Sequence, residues 1–548
     1  MLPVQLETVS MQTRDRIRLD ADVYRPAVAG EFPVLLMRQP YGRAIASTVV
    51  YAHPTWYAAQ GYIVVIQDVR GRGSSAGQFC LFETEVADGY DTVEWAAQLL
   101  GSTGQVGMYG FSYQGMTQLY AASARPAALK AIAPAMVGYD LYGDWAYENG
   151  ALCLQAGLGW ALQIAAETAR LQAKESAFQA LYAAARNLPL TGAIPARPQI
   201  LSELAPDSFF HDWLDHPQPD SYWSDLKPQL AGVKLPMLHI GGWFDPYLRG
   251  DVRLFKEMQG SAPQHFWVGP WGHIPWGQIA GERDFGPAAA SPVDRLQIRW
   301  FDHFLKGQDS GLLVEAPVCL FEMGSNQWRQ FEEWPTGQTK SYFLSSSGLA
   351  SLRQDDGRLV ESIPETQSVP DVIVHDPWRP VPSLGGHAGI PAGSFERSHL
   401  DNRSDVLTYT TAALASELRV AGELTVEVYC GADVPSFDLS AVLSEVGASG
   451  QVYNLTQGYG RFESSDNNIM VLQKYVLALQ PTCFWIPAGH ALRLSLSGAA
   501  FPAYGINSGT GVAAGKSRLI ESRIITLAIA SDKNHPSNVQ LAIAVAPA

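Results

Sequence analysis

Cysteine is scarce. The chain has five in 548 residues (Cys80, Cys153, Cys319, Cys430 and Cys483), and none sits in a C-x-x-C pair. That spacing supports neither a disulfide framework nor a cysteine zinc site. Positive charge is also short, with 38 Lys+Arg against 53 Asp+Glu for a net charge of −15. A nucleic-acid binder normally shows a basic patch, so that class is excluded. No stretch reads as a membrane helix, which needs about 20 predominantly apolar residues. Residues 150–166 are uncharged but too few and carry Gln155 and Gln163, while 494–515 are broken by Gly, Ser and Pro. The first twenty residues lack a basic segment followed by an apolar one, so no signal peptide is expected. These absences predict a protein with reduced cysteines, off the membrane and in the cytoplasm. What is present is a composition 47% hydrophobic and 17% charged, ample for a large core, at a length of two to four domains.

The first 137 residues alternate short apolar runs with helical patterns, as βαβ units around a parallel sheet do. Runs 33–38, 62–68, 105–109 and 129–134 read as buried strands, with helices over 85–100 and 116–124. Residues 138–233 are rich in helical spacing and carry no clear strand alternation, which suggests a cap inserted over the sheet. The α/β pattern resumes over 234–313, with strands at 235–243 and 264–268 and helices at 247–258 and 292–305. From 314 to 548 the text becomes short alternating strands bounded by Gly, Pro, Asn and Asp, beginning with the run VCLFEM. That pattern argues a β-sandwich or jelly roll. The expected fold class is therefore an α/β core with an inserted helical cap and a C-terminal β domain.

Two serines compete as nucleophile. Ser75 lies in Gly73-Ser-Ser-Ala-Gly77, which matches G-x-S-x-G, but a loop rather than a helix follows it. Ser112, in Gly110-Phe-Ser-Tyr-Gln-Gly115, has its second glycine one position late. It nevertheless stands between a strand and an immediate helix, the context in which a strained turn exposes the hydroxyl. Residues 71–76 also fit a dinucleotide fingerprint, G-x-G-x-x-A, but the next helix starts too late to hold a pyrophosphate. A serine needs a base and the base an orienting carboxylate, each in a loop after a strand, in the order Ser, Asp/Glu, His. Asp245 and His273 meet that requirement. His239 and His265 fall in or at the start of strands and His303 on a helix, so they read as core or packing residues. Asp212 and His216 share a helical face and could offer two metal ligands, but sequence places no third.

Together these motifs resemble the CocE/NonD serine hydrolases of the S15 peptidase type, which include esterases, α-amino acid ester hydrolases and X-Pro dipeptidyl-peptidases. The resemblance spans essentially the whole chain. It is carried by Arg38-Gln-Pro-Tyr-Gly42, Asp68-Val-Arg-Gly-Arg-Gly-Ser-Ser75, Asp88-Gly-Tyr-Asp91, Gly110–Gly115, Gly242-Trp-Phe-Asp245, Gly269-Pro-Trp-Gly-His273, Arg299-Trp-Phe-Asp-His303 and Phe501-Pro502. It implies an α/β-hydrolase fold with a jelly-roll domain, Ser112 as nucleophile, His273 as base and Asp245 as its orienter. It further implies an oxyanion hole from the Tyr41 hydroxyl and the Tyr113 backbone N–H. The layout of the family's esterases implies an acyl pocket lined by Trp145, Trp160 and Tyr247.

The expected activity is hydrolysis of carboxylic esters, or of activated amides, through an acyl-serine. Aromatic walls favour an apolar or aromatic acyl group. The expectation includes neither metal nor organic cofactor, a small-molecule substrate as the partner, and an open oligomeric state that includes a homodimer. The alternative is an α-amino acid ester hydrolase or X-Pro-type aminopeptidase, which needs carboxylates to hold a substrate ammonium. Glu148 and Asp144 are the candidates for that role. A carbohydrate-binding module and a non-catalytic protein are the readings outside enzymes.

Overall fold

A computed structural model describes residues 1–365, 368–464 and 470–544. Strands β1 (Val4–Gln12) and β2 (Arg18–Pro26) form an antiparallel hairpin that leads into β3 (Phe32–Gln39). Helix α1 (Pro54–Ala58) precedes β4 (Ile63–Asp68). Helix α2 (Glu85–Ala97) then leads to β5 (Ser102–Phe111), and α3 (Tyr113–Ser123) to β6 (Leu129–Ala135). The inserted segment starts with a single π-helical turn over 141–146. A two-residue ladder follows, β7 (Tyr147–Glu148) with β8 (Ala151–Leu152), reversed at Asn149 and Gly150, both at positive φ. The Asn-Gly pair is the turn dipeptide such a hairpin favours. Five helices complete the cap: α4 (Leu154–Leu171), α5 (Glu175–Arg186), α6 (Gln199–Leu204), α7 (Phe209–Asp215) and α8 (Ser221–Leu226).

The chain then returns to the sheet through β9 (Met237–Phe244), α9 (Leu248–Met258) and β10 (Gln264–Gly272). A short ladder follows, β11 (Ile279–Ala280) with β12 (Arg283–Asp284), and then α10 (Val293–Lys306). Strands β13 (Val318–Glu322) and β14 (Gln327–Phe331) close the first sheet, whose order is β1-β2-β4-β3-β5-β6-β9-β10-β13-β14. From β4 to β13 every neighbouring pair is parallel. The C-terminal ends of β3, β5, β9 and β10 therefore open onto one edge, and the candidate site is built there.

Residues alternate across β3. Val34 and Leu36 pack with α2 and α3, while Leu35 and Met37 pack with α1 and α10. Both faces are covered, which is why these strands read as unbroken apolar runs.

The run VCLFEM corrects one expectation. The sequence pattern groups it with the C-terminal β domain, yet it forms β13, parallel to β10 in the first sheet. A buried strand of a parallel sheet and a sandwich strand are both short apolar runs, so sequence does not say which sheet receives them. Met323, just beyond β13, is hydrogen-bonded through its backbone to Cys483 and Trp485, stitching the two sheets together.

Among the described residues the second sheet has eleven strands: β15 (Gln338–Ser345), β16 (Arg358–Val360), β17 (Asp371–His375), β18 (Val406–Thr410), β19 (Leu418–Ala432), β20 (Ser436–Val446), β21 (Val452–Glu463), β22 (Gln473–Ile486), β23 (Ala491–Ser497), β24 (Ile525–Ala530) and β25 (Asn538–Ile543). Its order is β17-β24-β19-β25-β15-β16-β18-β23-β20-β21, with β22 also paired to β19. Leu527 of β24 and Leu494 of β23 lie far apart in that order yet share one hydrophobic cluster. The sheet is thus rolled around its own core, the jelly-roll-like arrangement expected.

Candidate active site

Strand β5 ends at Phe111 and α3 begins at Tyr113, so Ser112 alone makes the turn. Its backbone sits at φ 58°, ψ −127°, a region that L residues with a side chain seldom occupy outside functional turns. The flanking glycines are steric requirements. A Cβ on Gly110 would stand 2.5 Å from Cβ of Gln114, and one on Gly115 would stand 2.4 Å from Cγ1 of Val137 and 2.9 Å from the Ala135 carbonyl oxygen. The second glycine falls at 115 because that is where α3 crosses the end of β6. Beneath the turn, the buried Tyr113 hydroxyl donates to Glu85 at 2.8 Å, and Glu85 is paired with the fully buried Arg38. Arg38 also donates to Gln67 at 2.8 Å. This network clamps α2, α3 and two strands below the turn, and nothing in the local sequence of Ser112 announces it.

Asp245 follows β9 and His273 follows β10, on adjacent strands. His273 Nδ1 and Asp245 Oδ2 are 2.5 Å apart. The carboxylate is fully buried and the imidazole partly exposed. The other carboxylate oxygen accepts the Tyr247 backbone N–H at 2.8 Å, so the acid is held from both sides. Because Asp245 engages Nδ1, Nε2 is left for other chemistry. The imidazole ring lies 5.3 Å from the Phe111 ring, beside the turn that carries Ser112. Ser112 and His273 are not hydrogen-bonded to each other; such contacts commonly tighten only around a held substrate. Trp276 donates to the His273 carbonyl at 3.0 Å and fixes that loop.

The Tyr41 hydroxyl, in the loop after β3, interacts with the Ser112 side chain and accepts the Trp160 indole N–H at 3.1 Å. Burial pushes the Tyr41 phenol up to about 12, against the opposing Trp160 contact, so it stays protonated at neutral pH. Tyr113 is the first residue of α3, and its backbone N–H has no intrahelical acceptor.

A chain of aromatic rings leads away from His273. Tyr247 is 5.0 Å from it by ring centroids, Trp145 is 4.6 Å from Tyr247, Trp160 is 5.1 Å from Trp145, and Phe209 is 4.7 Å from Trp160. The three residues expected from the family layout to line a pocket are thus contiguous. Phe209, and Phe82 at 5.8 Å from Trp145, join them; neither was singled out in the sequence.

The rivals find other employment. Ser75 is buried, donates to the Asp68 carbonyl at 2.7 Å and accepts the Asp20 N–H at 2.9 Å. The glycines around it form a turn: a Cβ on Gly73 would lie 2.0 Å from the Asp68 carboxylate. His239 is buried against Gln264 at 2.7 Å, and burial lowers it to about 4; burial lowers His265 equally. His216 pairs with Asp220 at 2.6 Å rather than with Asp212. Among the described residues no group of three or more His, Cys, Asp or Glu side chains is placed to hold a metal ion. Nor is any described helix long and apolar enough to cross a membrane.

Glu148 and Asp144 are both engaged elsewhere. One Glu148 oxygen accepts from Tyr504 at 2.6 Å, His387 at 2.9 Å and Arg249 at 3.0 Å, and the other accepts the Tyr459 N–H at 3.2 Å. Burial alone would raise its pKa, but Arg249 and His387 outweigh burial and hold it at about 2. Asp144 pairs with Arg253 at 3.0 Å and accepts the Asp140 N–H at 2.9 Å. Next to this junction Gln480, from β22, donates to the carbonyls of Trp243 and Asp245 at 3.0 and 2.8 Å. A side chain of the C-terminal domain therefore braces the loop carrying Asp245.

The profile described as X-Pro dipeptidyl-peptidase (S15 family) matches residues 15–275, and that of the X-Pro dipeptidyl-peptidase C-terminal non-catalytic domain matches 313–540. The cocaine esterase of Rhodococcus sp. (strain MB1 Bresler) is 32% identical, with 98% of each chain covered. Two solved structures share the fold over 99% of this chain and 97% of their own. An aminopeptidase from a marine sediment Thaumarchaeota archaeon has a TM-score of 0.82 at 21% identity, and an α-amino acid ester hydrolase has 0.78 at 20%. With the domain order, the late glycine of the serine turn and these full-length similarities in agreement, the chain belongs to the S15 family, among the serine hydrolases of the CocE/NonD type.

Proposed function

We propose that this protein hydrolyses carboxylic esters through an acyl-enzyme on Ser112. The observation that carries the reading is the 2.5 Å bond between His273 Nδ1 and buried Asp245, formed beside a serine held in a strained strand-to-helix turn. Ser112 Oγ attacks the ester carbonyl while His273 Nε2 takes its proton, and Asp245 holds the ring in that tautomer and balances the imidazolium. The oxyanion of the tetrahedral intermediate is met by the Tyr41 hydroxyl and the Tyr113 N–H, at the positive end of α3. Collapse expels the alcohol, which receives the proton from His273. Water, deprotonated by the same imidazole, then releases the acid and regenerates the serine.

The ring chain from Tyr247 through Trp145 and Trp160 to Phe209 supports an apolar or aromatic acyl group, with activated amides as weaker substrates. A neutral acyl group is favoured over an α-amino one, because Glu148 and Asp144 are already occupied by Arg249, His387, Tyr504 and Arg253. Labelling by a fluorophosphonate probe, present in the wild type and absent in Ser112→Ala, tests the nucleophile. A panel of p-nitrophenyl acyl esters, aminoacyl esters and aryl amides tests the acyl preference. Undiminished labelling of Ser112→Ala, or turnover confined to aminoacyl substrates, would overturn the corresponding part.

A further inference from the structure

A phenol oxygen carries one proton and two acceptor positions, whereas an indole N–H can only donate. At the 3.1 Å contact between Trp160 Nε1 and the Tyr41 hydroxyl, tyrosine must therefore be the acceptor. One acceptor position of Tyr41 is then filled from the cap, so its proton cannot lie along that contact, and the Ser112 side chain also interacts with the phenol. A second link fixes the same pair of elements. Arg72, fully buried, donates from Nε to the Pro40 carbonyl and from Nη1 to Thr168 Oγ1, both at 2.9 Å, with the Ile164 carbonyl at 3.5 Å. Trp160, Ile164 and Thr168 are spaced at i, i+4 and i+8 along α4, so they share one face. That face grips the Pro40–Tyr41 loop at points roughly 12 Å apart along the helix. The loop itself is pinned by the Tyr41 N–H bonded to Gln39 at 2.9 Å.

We propose that Trp160, beyond lining the acyl site, is a positioning residue for the oxyanion hole: its indole N–H orients the Tyr41 hydroxyl, so that the cap helix sets the geometry of transition-state stabilisation. The inference rests on the assignment of Tyr41 to the oxyanion hole. Withdrawal of electron density from the phenol by the Trp160 bond also makes Tyr41 a stronger donor, in line with the downward influence of that bond on the Tyr41 pKa.

The test is a double-mutant cycle of wild type, Trp160→Phe, Tyr41→Phe and the double variant, assayed on p-nitrophenyl acetate, whose small acyl group makes little use of the aromatic walls. Loss of one neutral hydrogen bond corresponds to roughly three- to ten-fold. Trp160→Phe should lower kcat by that factor with KM within two-fold. In the Tyr41→Phe background the same substitution should cost less than two-fold, because no hydroxyl remains to orient. Equal losses in both backgrounds, or a loss confined to KM, would reduce Trp160 to a wall residue and overturn the proposal. Fluorophosphonate labelling is run on all four proteins to separate the two layers. Labelled proteins with an additive cycle refute only the role of Trp160, whereas an unlabelled wild type refutes the catalytic assignment and this inference with it.

Discussion

Alanine is the best helix former and glycine among the worst, so replacing a glycine inside a helix ordinarily stabilises it by up to about 1 kcal/mol. Gly115, in the first turn of α3, should do the reverse. Its added Cβ would stand 2.4 Å from Cγ1 of Val137 and 2.9 Å from the carbonyl oxygen of Ala135. Restoring an ordinary contact of about 3.4 Å requires α3 to lift from β6 by roughly 1 Å, an overpacking cost of about 1–3 kcal/mol. The lift also moves Ser112 and the Tyr113 N–H, and a displacement of about 1 Å at reacting groups costs on the order of 10²-fold in rate. Gly115→Ala is therefore expected to lower thermal stability and to slow the acylation burst on a p-nitrophenyl ester about a hundred-fold. Gly159→Ala is the control, because its Cβ in α4 would meet nothing nearer than 3.9 Å and should leave stability unchanged or improved. Val137→Ala in the Gly115→Ala background should recover part of the loss. If Gly115→Ala melts no lower than wild type and acylates within three-fold of it, the steric account of the late glycine is wrong.

Three further outcomes are expected. Tyr41→Phe keeps the ring and removes one proposed oxyanion donor, so kcat should fall about 10²–10³-fold with little change in KM, read from steady-state kinetics. Glu148→Gln leaves the partly buried Arg249 without its counter-ion and should cost about 1–3 kcal/mol in urea unfolding at pH 7. Glu148 has its folded pKa lowered to about 2, so its contribution is complete above the ordinary carboxylate range and fades as pH falls toward 2; the gap between the two proteins should narrow over that interval. Gln480→Leu removes a hydrogen bond from each of two buried carbonyls, those of Trp243 and Asp245, and loosens the Asp245 loop. It should lower kcat by roughly ten- to a hundred-fold at similar KM, with the fold intact by circular dichroism.

The parts of the fold that sequence revealed are those written locally. Buried parallel strands give unbroken apolar runs, and the loops that end them carry Ser112, Asp245 and His273, so these candidates could be picked out by position, whereas Tyr41 entered through the family resemblance. What stayed hidden depends on distant partners. The run at Val318–Glu322 has the composition of either sheet, and its neighbour β10 is chosen by tertiary packing. Arg38, Glu85 and Tyr113 are ordinary polar letters until the fold buries them together. Glu148 looked available for an ammonium because its partners His387 and Tyr504 lie more than two hundred residues onward. The ladder that presents Glu148 was announced by Asn149-Gly150, but two-residue strands are too short for periodicity to register.

The junction around Glu148 bears on how such hydrolases can be re-engineered. The carboxylate comes from the cap, Arg249 from the helix after Asp245, and His387, Gln480 and Tyr504 from the C-terminal domain. A cap transplanted from a relative to change acyl selectivity would arrive with its own residue at 148 and face foreign neighbours at 249, 387 and 504. Chimeras should therefore exchange these positions as a set; recombination that follows domain borders alone would strand an unpaired charge beside the loop that carries Asp245.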